Sequence, residues 1–477
     1  MEQLSMQDAS FVFMESVATP MQIGGLYVYD PAQAPNGEPN EEAVLQYFDE
    51  RLHLAPMMRK KLVRVPLDSD YPYWIDDPDF DLEYHVRRIA LPKPADLETL
   101  RTIAARIFAR PLDLQRPLWE TTVIEGLNNV RGVPEGSFAV LTKMHHAAVD
   151  GASGMQMVEI LHDLEQTPPP VPRPTTSWQP GTAPSDAELM LRSTANHMMN
   201  PVRFAETVVR QMGDFPTRVR QTIETMAGAR AAGTGYSVVP RTRFGGLVSA
   251  QRVVGLVRVP LDEIRAARKV VPGATVNDAV LAICGGGIRR YLEAKNELNR
   301  KSLIVMAPVN LRGSAETASG GNQVGALFVP IGTHIADPVE RLRAVLAETQ
   351  SSKAIVDAVD ARAMTDYSRF VPAFTAAMAG RLMSNLAAAP QMAFNLTITN
   401  VPGPQVPLYF MGAPMVTSVG LAPLSHGMGL IMPITSYNGE LSIGFTSCRD
   451  MMPDPEFFST CIYESFQEFA QMTSAAK

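Results

Sequence analysis

The chain predicts an α/β (α+β) fold: two halves joined by a long helical crossover. Three observations carry this expectation. At 477 residues the chain exceeds one ordinary hydrophobic core, so two domains are the natural division. Strand-like and helix-like runs alternate irregularly in both halves, without the steady βαβ rhythm or G-x-G-x-x-G turn of a dinucleotide fold. Between them the composition changes at T-P-P-P-V-P-R-P-T-T-S-W-Q-P-G-T-A-P (Thr167–Pro184), a proline-rich linker that reads as extended and stiff. The expected units are 1–166, a linker and crossover over 167–240, and 241–477.

The first half justifies its elements in order. Ser5 and Asp8 have capping-box spacing for a short opening helix. Q-I-G-G-L-Y-V-Y-D (Gln22–Asp30) reads as a strand, Glu41–Leu52 as an amphipathic helix, Tyr84–Leu91 as a strand and Leu97–Ala109 as a helix. Trp119–Glu125 and Phe138–Met144 form a strand pair across a glycine- and asparagine-bearing loop, roomy between Asn128 and Ser137. From Gly151 the pattern turns helical, with Met155, Val158 and Leu161 on one face. Ser185 and Glu188 then cap a helical crossover reaching toward Arg230, interrupted at Pro201 and Pro216.

In the second half, strands are expected at Arg252–Val259, Ser302–Val309, Gly325–Ile331, Phe394–Thr399, Gly429–Ser436 and Leu441–Ser447. Helices are expected at Leu261–Val270, Val276–Ala294, Pro338–Thr349 and Pro455–Met472. Gly285–Gly287 falls inside a helix rather than at its start, so it reads as close packing instead of a phosphate loop.

Composition removes several classes of function. A net charge of −7 argues against a general nucleic-acid binder. Cys284, Cys448 and Cys461 are widely spaced, which suits a reducing compartment and gives neither a disulfide framework nor a zinc site. The N-terminus lacks the basic start and apolar run of a secretory signal. The most apolar stretch, Phe370–Phe394, is broken by Pro372, Arg381, Asn385 and Pro390, short of the ~20 residues a spanning helix needs. A cytoplasmic protein is expected, with peripheral attachment to a surface left open.

The chemistry concentrates at M-H-H-A-A-V-D-G, Met144–Gly151, in a chain with eight histidines. Side chains alternate across a strand, so His145 and His146 cannot both face one cavity if the strand runs through them. A neutral histidine, with an ordinary pKa near ~6.5, can take a proton from a hydroxyl as that hydroxyl attacks. Asp150 can cap the following helix or pair with a cation, and Gly151 permits a tight turn. The plainer reading is a buried histidine pair beside a capping aspartate. Against it, H-H-x-x-x-D-G arises by chance about once in a thousand chains of this size. No further His or Cys lies nearby at ligand spacing for a metal, and no G-x-S-x-G marks a nucleophilic serine.

These residues resemble the H-H-x-x-x-D-G signature of CoA-dependent acyltransferases, the superfamily with chloramphenicol acetyltransferase and peptide-synthetase condensation domains. The whole chain resembles the bacterial wax ester synthase/diacylglycerol acyltransferase family. The carrying segments are L-S-M-Q-D-A-S-F…P-M-Q-I-G-G-L, R-P-L-W-E-T-T-V-I-E-G-L (Arg116–Leu127), T-V-N-D-A-V-L (Thr275–Leu281) and N-V-P-G-P (Asn400–Pro404), with the histidine motif among them. The resemblance implies two chloramphenicol-acetyltransferase-like domains with mixed sheets and an active-site tunnel between them. It implies acyl transfer from acyl-CoA to a long-chain fatty alcohol or diacylglycerol, with His146 as the base, His145 orienting or packing, and no cofactor. Asn277 is then a candidate active-site or oxyanion contact, while Asp278 is mainly structural. Trp119 is placed near a substrate channel, although a core tryptophan reads the same.

CoA phosphates require cationic contacts, which Arg289, Arg290 or Arg312 would supply. The 26 methionines fit adaptable apolar channels and fit ordinary core filling equally. Arg192, Arg203, Arg210, Arg218 and Arg220 among apolar residues suit either an anionic membrane or lipid-droplet surface or a solvated helix face. Rival readings are a related acyltransferase that takes acyl groups from a carrier protein, and a catalytically silent protein coating lipid droplets.

Overall fold

The structure, a computed structural model, describes residues 1–34, 37–149, 157, 158, 160–196, 198, 239–310, 324–358, 373–384 and 393–475. Two six-stranded mixed sheets dominate it, one centred on each half of the chain.

In the first sheet, β2 (Gln22–Tyr29), β7 (Ser137–His145), β6 (Trp119–Leu127) and β5 (Val86–Ala90) lie side by side in that order. β7 is antiparallel to both neighbours, with His145 opposite Gln22 and Met144 opposite Trp119, and β5 runs parallel to β6. All nine residues of β7 are buried. Its sequence, S-F-A-V-L-T-K-M-H, has the near-continuous apolar character of a strand covered on both faces. Phe138, Val140 and Met144 point into one cluster with Phe48 and Trp119. Ala139 and Leu141 point to the other face, against Leu100, Ala104 and Phe108 of α4 (Leu97–Phe108). The period-two alternation thus sends successive residues of β7 to opposite sides.

Two further strands of this sheet come from the far end of the chain. β13 (Ala413–Leu421) pairs antiparallel with β2, from Met415 opposite Tyr29 to Leu421 opposite Gly24. β12 (Tyr409–Phe410) extends it. Chain order therefore does not separate the two sheets.

The second sheet has the order β10 (Val324–Pro330), β9 (Ile304–Asn310), β11 (Leu396–Val401), β14 (Leu430–Tyr437), β15 (Glu440–Cys448) and β8 (Arg252–Pro260). β11 is parallel to β9 and β14, and the remaining pairs are antiparallel. Its core includes α6 (Val276–Ala294) and α9 (Pro455–Ala475), with α5 (Leu261–Ala267) completing the layer. α6 starts at a capping box: Thr275 Oγ1 accepts from the Asp278 N–H, and Asp278 accepts from the Thr275 N–H at 2.8 Å. Inside it, a Cβ on Gly285, Gly286 or Gly287 would collide with the Ile331 carbonyl, with Ser465 and Arg341, or with the Ile462 backbone. The three glycines are there for close approach, as the sequence indicates.

Three small departures have local causes. Tyr84–Leu91 is not one strand: Asp81 caps a helical turn, α3 (Leu82–His85), by accepting from the Glu83 N–H at 3.0 Å, and β5 begins only at Val86. The three-stranded sheet of β1 (Glu2–Gln3), β4 (Tyr73–Asp76) and β3 (Lys60–Val63) is built from runs too short for periodicity to reveal. α8 (Ala373–Ser384) lies inside the apolar stretch noted above and packs against α1 (Met6–Met14).

Residues 164–185 form neither helix nor strand, yet the linker is docked. Asp163 at its entry pairs with buried Arg51 at 3.2 Å and accepts from the Tyr47 hydroxyl at 3.0 Å. Trp178 lies under the Arg59 guanidinium, 4.9 Å from the ring centre. Ser185 accepts from the Glu188 N–H, and residues 186–196 are helical.

Candidate active site

β7 ends at His145, and His146–Ala148 turn into a single 3₁₀ turn. The break in strand geometry gives the two histidines different surroundings. The His145 backbone N–H bonds to the Leu118 carbonyl at 2.9 Å, and that of His146 to the Met21 carbonyl at 2.7 Å. The turn is pinned from both adjacent strands, one of which begins in the P-L-W segment.

The His145 side chain is fully buried. Its Nδ1 accepts from the Ala147 backbone N–H at 3.0 Å, so the ring proton sits on Nε2. That Nε2 points to Glu15, whose Oε2 lies 3.5 Å away, and Glu15 Oε1 accepts from the Met21 N–H at 3.3 Å. His145 is thereby held in one tautomer with its lone pair already taken.

His146 is only partly covered. Its ring stacks on Phe11, centroids 4.0 Å apart and planes 16° from parallel. Its Nδ1 is buried and has no hydrogen-bond partner among the described residues. Burial, helped by neighbouring His145, lowers its pKa below the usual histidine value and favours the neutral, proton-accepting ring. Phe11 and Glu15 were not singled out in the sequence. They are four residues apart on α1 and its C-cap, so both fall on the helix face turned to the histidines. That spacing, after the Ser5 cap, is the signal that would have found them.

Trp119 is 1% exposed, stacks on His85 and Phe48, and donates its indole N–H to the Met58 carbonyl at 2.8 Å. Its surroundings are those of a core tryptophan. Asn277, in the first turn of α6, accepts from Asn400 Nδ2 at 3.3 Å. This contact joins the N-D segment to the N-V-P-G-P segment and leaves the Asn277 amide N–H₂ as a donor. Asp278 is buried in its capping box and accepts from Thr349 at 2.7 Å, which is a structural role. No hydrogen bond links Asn277 to either histidine among the described residues.

Arg289 is spent on the Thr333 and His334 carbonyls and Glu293, and Arg290 on Glu464 and Glu468. Asp150, Gly151 and Arg312, with Met155 and Arg203, Arg210, Arg218 and Arg220, lie outside the described residues. No group of three His, Cys, Asp or Glu side chains is arranged to hold a metal among the described residues. None of the helices there is long and apolar enough to cross a membrane.

Known proteins resemble this chain over nearly its whole length. The wax ester synthase/diacylglycerol acyltransferase catalytic domain matches residues 4–280, and the C-terminal domain of the same family matches residues 320–470. A putative diacylglycerol O-acyltransferase of Mycobacterium tuberculosis is 32% identical, covering 95% of this chain and 87% of its own. A probable diacylglycerol O-acyltransferase of the same organism is 31% identical over 99% of both chains. Among solved structures, the wax ester synthase/diacylglycerol acyltransferase of Marinobacter aquaeolei VT8 has the same fold, with a TM-score of 0.67 at 24% identity over 99% of this chain and 100% of that one. A starter condensation domain of rhizomide synthetase shares the fold at TM-score 0.55 and 14% identity, covering 99% of this chain and 94% of its own. The segments that frame the histidine turn thus fall inside domains of a single family, and the chain belongs to the wax ester synthase/diacylglycerol acyltransferase family.

Proposed function

We propose that His146 is the general base with which this acyltransferase moves a fatty acyl group from acyl-CoA to a long-chain alcohol or to diacylglycerol. The observation that carries the assignment is the contrast within the pair. His145 has its acceptor nitrogen occupied by the Ala147 N–H, whereas His146 is partly open and kept neutral by burial.

In this reading the hydroxyl proton passes to His146 as the oxygen attacks the thioester carbonyl carbon. The tetrahedral oxyanion collapses, the carbon–sulfur bond breaks, and the CoA thiolate takes the proton back from the imidazolium. Both substrates are bound together, no acyl-enzyme forms and no cofactor is required. General-base catalysis of this kind contributes about 10²–10⁴-fold. Asn277, its carbonyl held by Asn400, is assigned as the donor to the oxyanion. The names of the mycobacterial relatives favour diacylglycerol as acceptor.

The test is thiol release from palmitoyl-CoA with hexadecanol or diacylglycerol, comparing wild type with His146→Ala. Release that requires an acceptor and is lost by at least about 100-fold in the variant supports the base assignment. Near-normal turnover in a folded His146→Ala protein sinks it. No acceptor-dependent release with either acceptor would favour a carrier-protein donor or a non-catalytic lipid binder.

A peripheral lipid surface is the expected site of work, since both acceptors are insoluble. Leu67, Met378 and Leu382 are 86%, 58% and 66% exposed, and the Leu67 turn touches α8, which carries the other two. Arg381 pairs with Asp68 in the same contact. Exposed apolar side chains beside a cation suit an anionic membrane or droplet surface. Flotation with anionic liposomes tests this, and protein left at the bottom of the gradient at low salt would contradict it.

A further inference from the structure

A cleft of about 620 Å³ opens where α4 of the first half meets β8 and the start of α9. That size lies in the range of about 300–1,000 Å³ typical of small-molecule sites. Four arginines line it, Arg101, Arg106, Arg252 and Arg449, together with Glu98, Asp454 and Glu456. Two of the carboxylates are already matched. Glu456 pairs with Arg101, and Asp454 with Lys295 and the Tyr291 hydroxyl. Glu98 is left against Arg106, Arg252 and Arg449, a local positive surplus in a chain whose net charge is −7.

Arg252 is the informative member. Its side chain is 5% exposed and donates to the Ser249 and Ala18 carbonyls, with no carboxylate partner among the described residues. Burial pushes its guanidinium down to about 10. A buried cation without a counterion is costly, and the cost falls when an anion enters beside it. Arg106 and Arg449 are exposed in the cleft and make no side-chain bond among the described residues. Phe457, 39% exposed, adds an aromatic face to the same wall.

The cleft is also coupled to the histidine turn. Arg252 grips the Ala18 carbonyl at 2.6 Å, within the short segment where Glu15 faces His145 and the Met21 carbonyl holds the His146 N–H. Guanidiniums suit phosphate oxygens, and an exposed ring suits a nucleobase.

We propose that this cleft holds the phosphorylated nucleotide end of the acyl-CoA donor, with Arg106, Arg252 and Arg449 on the phosphates and Phe457 under the base. The proposal rests on the acyl-CoA reading above and gives it an address in the fold. A free nucleotide or inorganic phosphate would present the same chemistry, so the test separates these sources.

The double variant Arg106→Glu/Arg449→Glu changes exposed residues only and should fold. It is compared with wild type using palmitoyl-CoA and palmitoyl-N-acetylcysteamine, a thioester that lacks the nucleotide. The expected result is a KM for palmitoyl-CoA raised at least about tenfold, with the truncated donor used as by wild type. An unchanged KM for palmitoyl-CoA, or an equal loss with both donors, overturns the proposal. Adenosine 3′,5′-bisphosphate should bind wild type by calorimetry, compete with palmitoyl-CoA and bind the variant at least tenfold more weakly. Inhibition that is not competitive with palmitoyl-CoA, or tighter binding of inorganic phosphate than of the bisphosphate, would assign the cleft to another phosphate ligand and overturn it. A wild-type protein inert with both thioesters would instead refute the donor assignment, and the calorimetric comparison would still decide whether the cleft is a nucleotide site.

Discussion

His145 and His146 are chemically alike and adjacent, and the backbone gives them different surroundings. The strand ends between them, so the buried His145 ring turns its Nε2 to Glu15 while the His146 ring stacks on Phe11. The lowered pKa of His146 has a signed consequence. A base with a depressed pKa stays deprotonated further into acid, so the acid limb of kcat/KM should fall below ~6.5. Phe11→Ala, which lets water reach the ring, should move that limb back up toward the ordinary value. A pH profile of both proteins checks this, and a wild-type limb above ~6.5 would contradict the burial argument. The pair was legible in the sequence as a motif, and the family resemblance implied a division of labour, but the contacts behind it were not legible. That division depends on the Ala147 N–H and on Glu15, about 130 residues away along the chain, which no local pattern connects to His145.

α6 shows what a local pattern does convey. Thr275 and Asp278 mark its start, and Gly285–Gly287 mark where it must approach its neighbours. Helix propensity favours Ala over Gly by about 1 kcal/mol. At Gly287, however, a Cβ would stand 2.8 Å from the Ile462 Cα, a backbone atom of α9 that cannot swing aside. Overpacking of this kind costs about 1–3 kcal/mol, so Gly287→Ala should destabilise the protein despite its propensity. Denaturant unfolding measures the sign directly; a stabilised variant would show that the helices are free to separate. Long elements with strong periodicity, such as Val276–Ala294 and Arg252–Val259, were readable for this reason. β13 was not: Pro414 and Gly420 interrupt its pattern, and its partner β2 lies nearly 400 residues away.

At the scale of the molecule, β13 makes the two halves interdependent. It completes the first sheet, while Val254 of β8 and Val419 and Leu421 of β13 join the cluster under α4. A chain ending at residue 240 would leave β2 as an exposed edge and open that cluster, and unpaired edges template aggregation. Such a fragment should be insoluble or bind the dye ANS strongly, and should become soluble when residues 241–477 are co-expressed. A monomeric, cooperatively unfolding fragment would contradict the interlock. The two α/β halves could be read from length and periodicity, but this exchange could not. Strand pairing across the chain is decided by tertiary packing rather than by any one segment.

The interlocked sheets position the histidine turn, and one measurement tests what it does. Purified wild type and His146→Ala should be compared for CoA thiol release from palmitoyl-CoA, with and without hexadecanol or diacylglycerol, after circular dichroism has shown equal folding. Acceptor-dependent release reduced at least about 100-fold in the variant is the predicted result. Release unaffected by the substitution would contradict the assignment of His146 as the base.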